Sequence, residues 1–153
     1  MPPAAIGHAC GVGEGSVGGT TSGGGGEPVA ASLSDQTFVA VDPAVVAAEI
    51  ARPERWRRWW PDLDLEVSRD RGPKGVQWVL TGRIGGTAEI YLEPWHDGTV
   101  VHLYQRLRLP AGRRVGRDLR ERELSWKRHV TALKDELEGD RAPGTPAQVP
   151  PSG

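Results

Sequence analysis

The sequence predicts an α+β domain in which an antiparallel sheet packs against one long C-terminal helix. Apolar residues alternate with polar ones through the middle of the chain, a spacing typical of half-buried strands. Toward the C-terminus the apolar spacing changes to that of an amphipathic helix. A first strand and two short helices that begin at proline precede the alternating region.

Composition divides the chain into one domain and two tails. Ten of the 21 glycines lie in residues 1–34, and four of the 13 prolines follow residue 142. Segments so poor in large apolar groups bury too little surface to offset the entropy of folding. We therefore expect a disordered Gly-rich tail at 1–34, one domain at 35–141 and a disordered Pro-rich tail at 142–153.

Charge and cysteine content exclude several classes of protein. The 19 Lys and Arg nearly cancel the 20 Asp and Glu, so no net charge points to nucleic acid or to a membrane surface. A single cysteine, Cys10, excludes a disulfide framework and a cysteine-based zinc site. No apolar run approaches the roughly 20 residues that span a bilayer, and no secretory signal is visible. We therefore expect a cytoplasmic protein.

The first elements follow one another without long loops. Thr37–Val41 is rich in β-forming residues and predicts a strand. Asp42 then supplies a helix N-cap, and Pro43 suits the first helical position. We expect one short helix over Ala44–Ala51 and a second, begun by a proline, over Glu54–Trp60.

Four strands of alternating character come next, and they are predicted to form an antiparallel meander. Gly, Pro and Asp-Gly turn residues separate them. The alternating apolar residues are Leu63, Leu65 and Val67, then Val76, Trp78 and Leu80, then Ala88, Ile90 and Leu92, then Val101, Leu103 and Leu107.

Two loops set the predicted register of this meander. An Asp97-Gly98 loop places Glu89 beside Arg106 and leaves the opposite face apolar. A three-residue loop at 84–86 turns the preceding strand so that Trp78 lies on that apolar face. We expect both loops.

The last element is predicted to be a helix about 35 Å long, over Val115–Gly139. Its apolar residues fall on one narrow stripe, and Gly139 is placed to end it. Such a stripe must be buried against another element. The stripe consists of Leu119, Trp126, Val130, Leu133 and Leu137.

Three segments resemble those of START-like, or helix-grip, proteins. Val41-Asp42-Pro43-Ala44-Val45-Val46 resembles the family's strand-to-helix step. The segment at 52–61, RPERWRRWWP, resembles its second helix, D-P-E-R-W-x-x-W-x-P. The segments YLEP at 91–94 and DGTVV at 97–101 resemble its hairpin, y-x-L-x-P…g-g-T-x-v. The chain thus resembles the SRPBCC superfamily over residues 36–138.

The resemblance implies a sheet curved around the long helix, with a cavity between them. Bacterial members are often named polyketide cyclase/dehydrase or lipid-transport proteins. We therefore expect a small hydrophobic ligand, lipid- or polyketide-like, and no cofactor. Two alternatives stay open: an aromatase/cyclase-type enzyme that uses the same cavity, and an interaction domain whose interior is filled by its own side chains. Because the family usually has six or seven strands and this chain has five, we expect a small cavity.

The candidate ligand-binding residues are large side chains predicted to face the interior. Aromatic walls bind flat ligands, although tryptophans also simply fill cores. Gln105 is the polar side chain of the central strands that points inward in the predicted register. The candidate set is Trp56, Trp59, Trp60, Trp78, Leu80, Ile90, Leu92, Leu103, Gln105, Trp126 and Val130.

Other chemistry has little support in the sequence, and no catalytic residue is assigned. The acidic and histidine residues around 93–102 are better explained by a solvent-facing turn than by a metal site. Residues 106–128 hold nine basic and three acidic side chains, but aromatic stacking groups are absent from 108–125. We therefore expect a solvated helix face there and no binding of nucleic acid.

Overall fold

The computed structural model describes residues 27–112 and 114–139. In these ranges one sheet has the strand order β1-β5-β4-β3-β2, with every neighbouring pair antiparallel. The predicted α+β fold class, with five strands, two short helices after the first strand and a long last helix, is confirmed. The elements are β1 (Val29–Val39), α1 (Pro43–Ile50), α2 (Pro53–Trp59), β2 (Leu65–Asp70), β3 (Gly75–Thr81), β4 (Gly85–Trp95), β5 (Gly98–Leu109) and α3 (Val115–Glu138).

The strand faces follow the alternation of the sequence. One face of the sheet, here called the inner face, is apolar and buried against the helices, whereas the outer face is largely polar. The predicted stripe of α3 is buried at Trp126, Val130 and Leu133, while Leu119 and Leu137 pack partly buried at its ends. The core therefore lies between the inner face and the three helices.

Local signals define the helix ends as the sequence predicts. The side chain of Asp42 accepts a hydrogen bond from the Ala44 N–H at 2.9 Å, which satisfies one free amide of the first turn of α1. Pro43 and Pro53 occupy first-turn positions, where no N–H is needed. At Gly139 the backbone takes φ 60°, a left-handed conformation that favours glycine and ends α3.

The predicted start of the domain at residue 35 is wrong. Strand β1 begins at Val29 and pairs along its whole length with β5, so residues 29–34 belong to the sheet. Ala31 and Leu33 are buried on the inner face between exposed serines. Two apolar residues among Ala and Ser are too weak a pattern to predict a strand. Residues 1–26 of the predicted N-terminal tail and the whole predicted C-terminal tail lie outside the described residues.

The predicted β4–β5 loop is wrong by one residue. His96 and Asp97 form the two-residue loop, Trp95 pairs with Gly98, and His96 adopts φ 50°. Gly98 is the first residue of β5. A Cβ at this position would lie 2.5 Å from the Val39 carbonyl oxygen. This glycine is therefore required by the close approach of β1.

The change of register moves every partner by two residues and leaves every side chain on its predicted face. Glu89 lies opposite Tyr104 rather than Arg106, and its carboxylate accepts a hydrogen bond from Arg71 at 3.1 Å. Glu93 and His102 form a diagonal pair across the same two strands, with 2.8 Å between Oε1 and Nε2.

The β3–β4 loop has the predicted three residues but at 82–84 instead of 84–86. Gly86 pairs with Leu80 and with Leu107, and a Cβ at Gly86 would lie 1.9 Å from the Arg106 carbonyl oxygen. This position also has φ 127°, a conformation that favours glycine. Trp78 lies on the inner face as predicted.

Two arginines tie the helices together. The buried Arg55 guanidinium of α2 contacts Glu49 of α1 and Glu136 of α3, each at 2.7 Å. Its bonds to these carboxylates raise the pKa of Arg55, Glu136 contributing most, and the same contact lowers the pKa of Glu136. Arg122 of α3 bridges Asp62, after α2, and Asp118. The short helices are therefore fixed to the long one at both ends of their contact.

Replacing Leu33 with Ala tests the corrected start of the domain. Leu33 is 4% exposed, so we expect Leu33→Ala to lower the free energy of unfolding by about 2–5 kcal/mol, as large-to-small changes in cores do. Ser32→Ala, on the exposed face of the same strand, is the control and should stay within about 0.5 kcal/mol. Urea unfolding measures both. If both substitutions changed the free energy of unfolding by the same small amount, residues 29–34 would not contribute to the folded domain.

Candidate ligand-binding site

Five tryptophans form one continuous cluster against the inner face. Trp60 lies at its centre: its ring stacks on Trp126 at 5.6 Å and meets Trp59 and Trp78 edge-on at 5.5 and 5.6 Å. Trp59 also meets Trp126 at 5.4 Å, and Trp56 meets Trp78 at 5.2 Å. These distances and angles are those of favourable aromatic pairs. We call these five residues the tryptophan cluster.

The tryptophan cluster reaches from the interior to the surface. Trp59, Trp60, Trp78 and Trp126 are buried, whereas Trp56 is only partly buried and is the outermost member. The indole Nε1 of Trp56 donates a hydrogen bond to the Ile50 carbonyl oxygen at 2.6 Å. Trp56 therefore stands between α1, the buried ring of Trp78 and solvent.

Asp35 of β1 anchors the cluster on the sheet. Its Oδ2 accepts hydrogen bonds from Trp126 Nε1 at 3.1 Å and from the Thr37 hydroxyl at 2.9 Å. Its Oδ1 lies 2.8 Å from the Lys127 ammonium group. The Trp126 ring is thus held at both its face and its polar edge.

One row of the inner face carries polar atoms without partners. Across the sheet the row runs Leu33, Gln105, Ala88, Trp78. Gln105 and Trp78 are each about 1% exposed, and within the described part of the chain neither the Gln105 amide atoms nor Trp78 Nε1 has a hydrogen-bond partner. Leaving such a group unpaired costs about 1–3 kcal/mol. We call Gln105, Ala88 and Trp78 the polar row.

The aliphatic candidates lie on the same face but at different distances from the polar row. Ile90 and Leu103 pair in the adjacent row, and Leu80 lies in the row on the other side. Leu92 is four residues from Ala88, about 13 Å along β4. Val130 is buried on α3, one turn from Trp126. The candidate residues other than Trp56 are therefore buried, and the candidate tryptophans are in direct contact.

Three residues of the site were not among the candidates. Asp35 lies in the first residues of the predicted domain, where no strand was expected. The alternation places Ala88 on the correct face, but a small side chain gives no sequence signal for a ligand site. Leu33 lay in the predicted tail. A correct register of β1 and β3 is the signal that would have found them.

Positive charge collects where α2 and α3 meet. Partial burial lowers the pKa of His129, and the nearby guanidinium groups of Arg128 and Arg58 lower it further. These surroundings therefore favour the neutral form of His129.

The outer face has its own polar arrangement. His102 stacks on Tyr104 with the rings 6.1 Å apart and nearly parallel, and burial followed by the charges of Glu89 and Glu93 raises the pKa of Tyr104. Among residues 27–112 and 114–139, no group of three or more His, Cys, Asp or Glu side chains converges on a metal-binding position.

Comparison with solved structures finds several of the same architecture. The Aha1 dimer from Colwellia psychrerythraea has 14% sequence identity and a TM-score of 0.55, with 73% of this chain and 99% of that chain covered. DR_A0006 from Deinococcus radiodurans has 13% identity and a TM-score of 0.52, covering 71% and 98%. CalU16 from Micromonospora echinospora has 19% identity and a TM-score of 0.51, covering 74% and 78%.

At these identities the likeness concerns the fold. No family model matches the chain, and no curated protein matches it either. Of the helices in the described ranges, none combines the length and apolar character needed to cross a bilayer.

Substitution of Asp35 separates its two contacts. We expect Asp35→Ala to lower the free energy of unfolding by about 1–3 kcal/mol, because the buried Trp126 N–H loses its acceptor. Asp35→Asn keeps an acceptor oxygen and loses only the half-exposed pair with Lys127, so about 0–1 kcal/mol is expected. Urea unfolding compares the two variants. Equal losses would assign the role of Asp35 to the ion pair instead.

The lowered pKa of His129 predicts a dependence of stability on pH. The folded protein binds a proton at His129 less readily than the unfolded chain, whose pKa is about 6.5. This contribution to stability is present above that pKa and is lost as the pH falls below it. We expect the loss between pH 7.5 and 5.5 to be smaller in His129→Gln than in the natural sequence. The other histidines are common to both proteins, so identical pH profiles would contradict the assignment.

Proposed function

We propose, from the SRPBCC-type helix-grip fold of this chain, that the domain binds a small hydrophobic molecule between the inner face of the sheet and α3. In this function the tryptophan cluster forms the wall of the site. Trp56 lies at the end where the ligand enters.

The continuous cluster is the observation that supports the proposal. Small-molecule sites are lined by apolar and aromatic side chains with a few polar groups that orient the ligand. Here five indole rings run from the partly exposed Trp56 to the buried Trp126, and the buried Gln105 amide lies on the same face of the sheet. A flat ligand can replace a ring contact with another of the same kind, which offsets part of the cost of opening the outer end of the cluster.

The short sheet favours a small ligand. Five strands curve around one helix, and much of the space between them is already occupied by indole rings. A molecule of two or three fused rings matches the dimensions of the Trp side chains that it would displace. We therefore propose a flat, polyketide-like ligand in preference to a long-chain lipid.

An enzymatic role has less support. General acid–base catalysis needs a titratable group within hydrogen-bond reach of the substrate. Asp35 touches the cluster, but its oxygens already bind Trp126, Thr37 and Lys127. Gln105 does not titrate. Binding is therefore the function that the site supports best, and a filled interior without a ligand is the alternative that the experiment must exclude.

Tryptophan fluorescence tests the proposal once the reporter outside the cluster is removed. Trp95 is 51% exposed on the β4–β5 hairpin, and the chain has six tryptophans. In Trp95→Phe every remaining tryptophan belongs to the cluster. We expect flat aromatic molecules of two or three rings to quench this fluorescence saturably, and straight-chain fatty acids to do so weakly.

Two matched variants locate the site. Calorimetric titration should give the same affinity for Trp95→Phe as for the natural sequence, because Trp95 lies outside the cluster. Trp56→Ala should weaken binding by about tenfold, since an aromatic contact contributes roughly 0.5–1.5 kcal/mol. No saturable quenching by any molecule of the panel would support the filled interior.

A further inference from the structure

The polar row carries information about the chemistry of the ligand. We infer that the ligand carries an oxygen acceptor, such as a ketone, quinone or phenol oxygen, which Trp78 Nε1 and the Gln105 amide recognise inside the site. The inference rests on the proposed function, because it concerns the ligand of that same site.

The donors and acceptors of the row define what can bind there. An indole Nε1 donates only, whereas the Gln105 amide offers two N–H donors and one carbonyl acceptor. Both side chains project from the inner face into the space that α3 and α2 cover. A ligand oxygen can therefore accept a hydrogen bond from either residue, and a ligand hydroxyl group can in addition donate to the Gln105 carbonyl oxygen.

The residue between them carries the smallest side chain of the row. Gln105 and Trp78 lie two strand spacings apart, about 10 Å, and the intervening residue is Ala88. Most other inner-face positions of β4 and β5 carry Ile, Leu or Val. In the inferred complex, a flat molecule lies over this methyl group once the outer ring of the cluster has moved, with its polar edge toward Gln105, Trp78 or both.

The cost of the row supports a functional role. A buried amide with no partner destabilises the folded state relative to an apolar side chain of the same shape. Leucine is close in size to glutamine and would remove that cost. Glutamine at position 105 therefore makes the folded protein less stable than leucine would. Such a loss of stability is expected where a polar group serves binding.

A pair of nearly isosteric ligands tests the recognition. 2-Acetylnaphthalene and 2-isopropenylnaphthalene differ in one position, where a carbonyl oxygen replaces a terminal CH₂. Titrated by calorimetry into the full chain, the ketone should bind about tenfold more tightly, as expected for one hydrogen bond to a buried donor.

Gln105→Leu should change stability and specificity in opposite directions. We expect the ligand-free variant to melt at a higher temperature than the natural sequence. Its affinity for the hydrocarbon should stay within about twofold, and its preference for the ketone should fall to threefold or less. Trp78→Phe, which removes the Nε1 donor and keeps an aromatic ring, should reduce the preference in the same way.

The outcomes distinguish this inference from the proposed function. Equal binding of the two naphthalenes would overturn the polar recognition and leave hydrophobic binding intact. No binding of either would overturn the proposed function and the inference with it. A lower melting temperature for ligand-free Gln105→Leu would show that the amide is satisfied in the folded protein, and would also overturn the inference. Ala88→Leu, which puts a larger side chain between Gln105 and Trp78, should abolish binding of both ligands; unchanged affinities would place the ligand elsewhere and overturn the inference.

Discussion

The burial of Trp126 is the contact on which the other parts of the structure depend. This side chain comes from α3, stacks on Trp60 after α2, meets Trp59 edge-on and donates its N–H to Asp35 of β1. It therefore joins the last helix to the first strand and to the second short helix, elements that are about 65 to 90 residues away in sequence. Because α3 has only one apolar stripe, it can be buried in only one rotation about its axis. Trp126 sets that rotation, and the charged contacts of Arg55 and Arg122 follow from it.

The sequence predicts the strand faces well and the strand partners poorly, and the reason is physical. A face depends on whether a position is odd or even, and the alternation of Leu107 and Leu109 with exposed arginines reports this directly. A partner depends on where the loop lies. Gly86 and Gly98 look like turn residues, yet each is required inside a strand because a neighbouring backbone carbonyl would collide with a Cβ. A turn with positive φ and a close contact with a neighbouring backbone both require glycine. A single sequence therefore does not show which of the two reasons applies.

The candidate site shows the same division. Large apolar residues at the correct period were predicted to be buried, and the five cluster tryptophans are in contact. The roles of Asp35, Ala88 and the buried Arg55 were not predicted, because these roles depend on contacts with residues far away in the chain. Arg55 in particular lies on a helix with several other arginines, and nothing local distinguishes the one that bridges Glu49 and Glu136. The period of apolar residues thus predicts which side chains are buried, but not which distant residues they contact.

In the proposed function, the members of the tryptophan cluster have different parts because they differ in how firmly they are held. Trp126 is fixed by a carboxylate and two rings, and Trp78 by its strand and two rings. Trp56, in contrast, has one ring contact and one hydrogen bond to a backbone carbonyl, and it already reaches solvent. A wall of fixed rings loses little conformational freedom when a ligand arrives, which favours affinity. Only the outermost ring then has to move, and its displacement would uncover Trp78 at the end of the polar row.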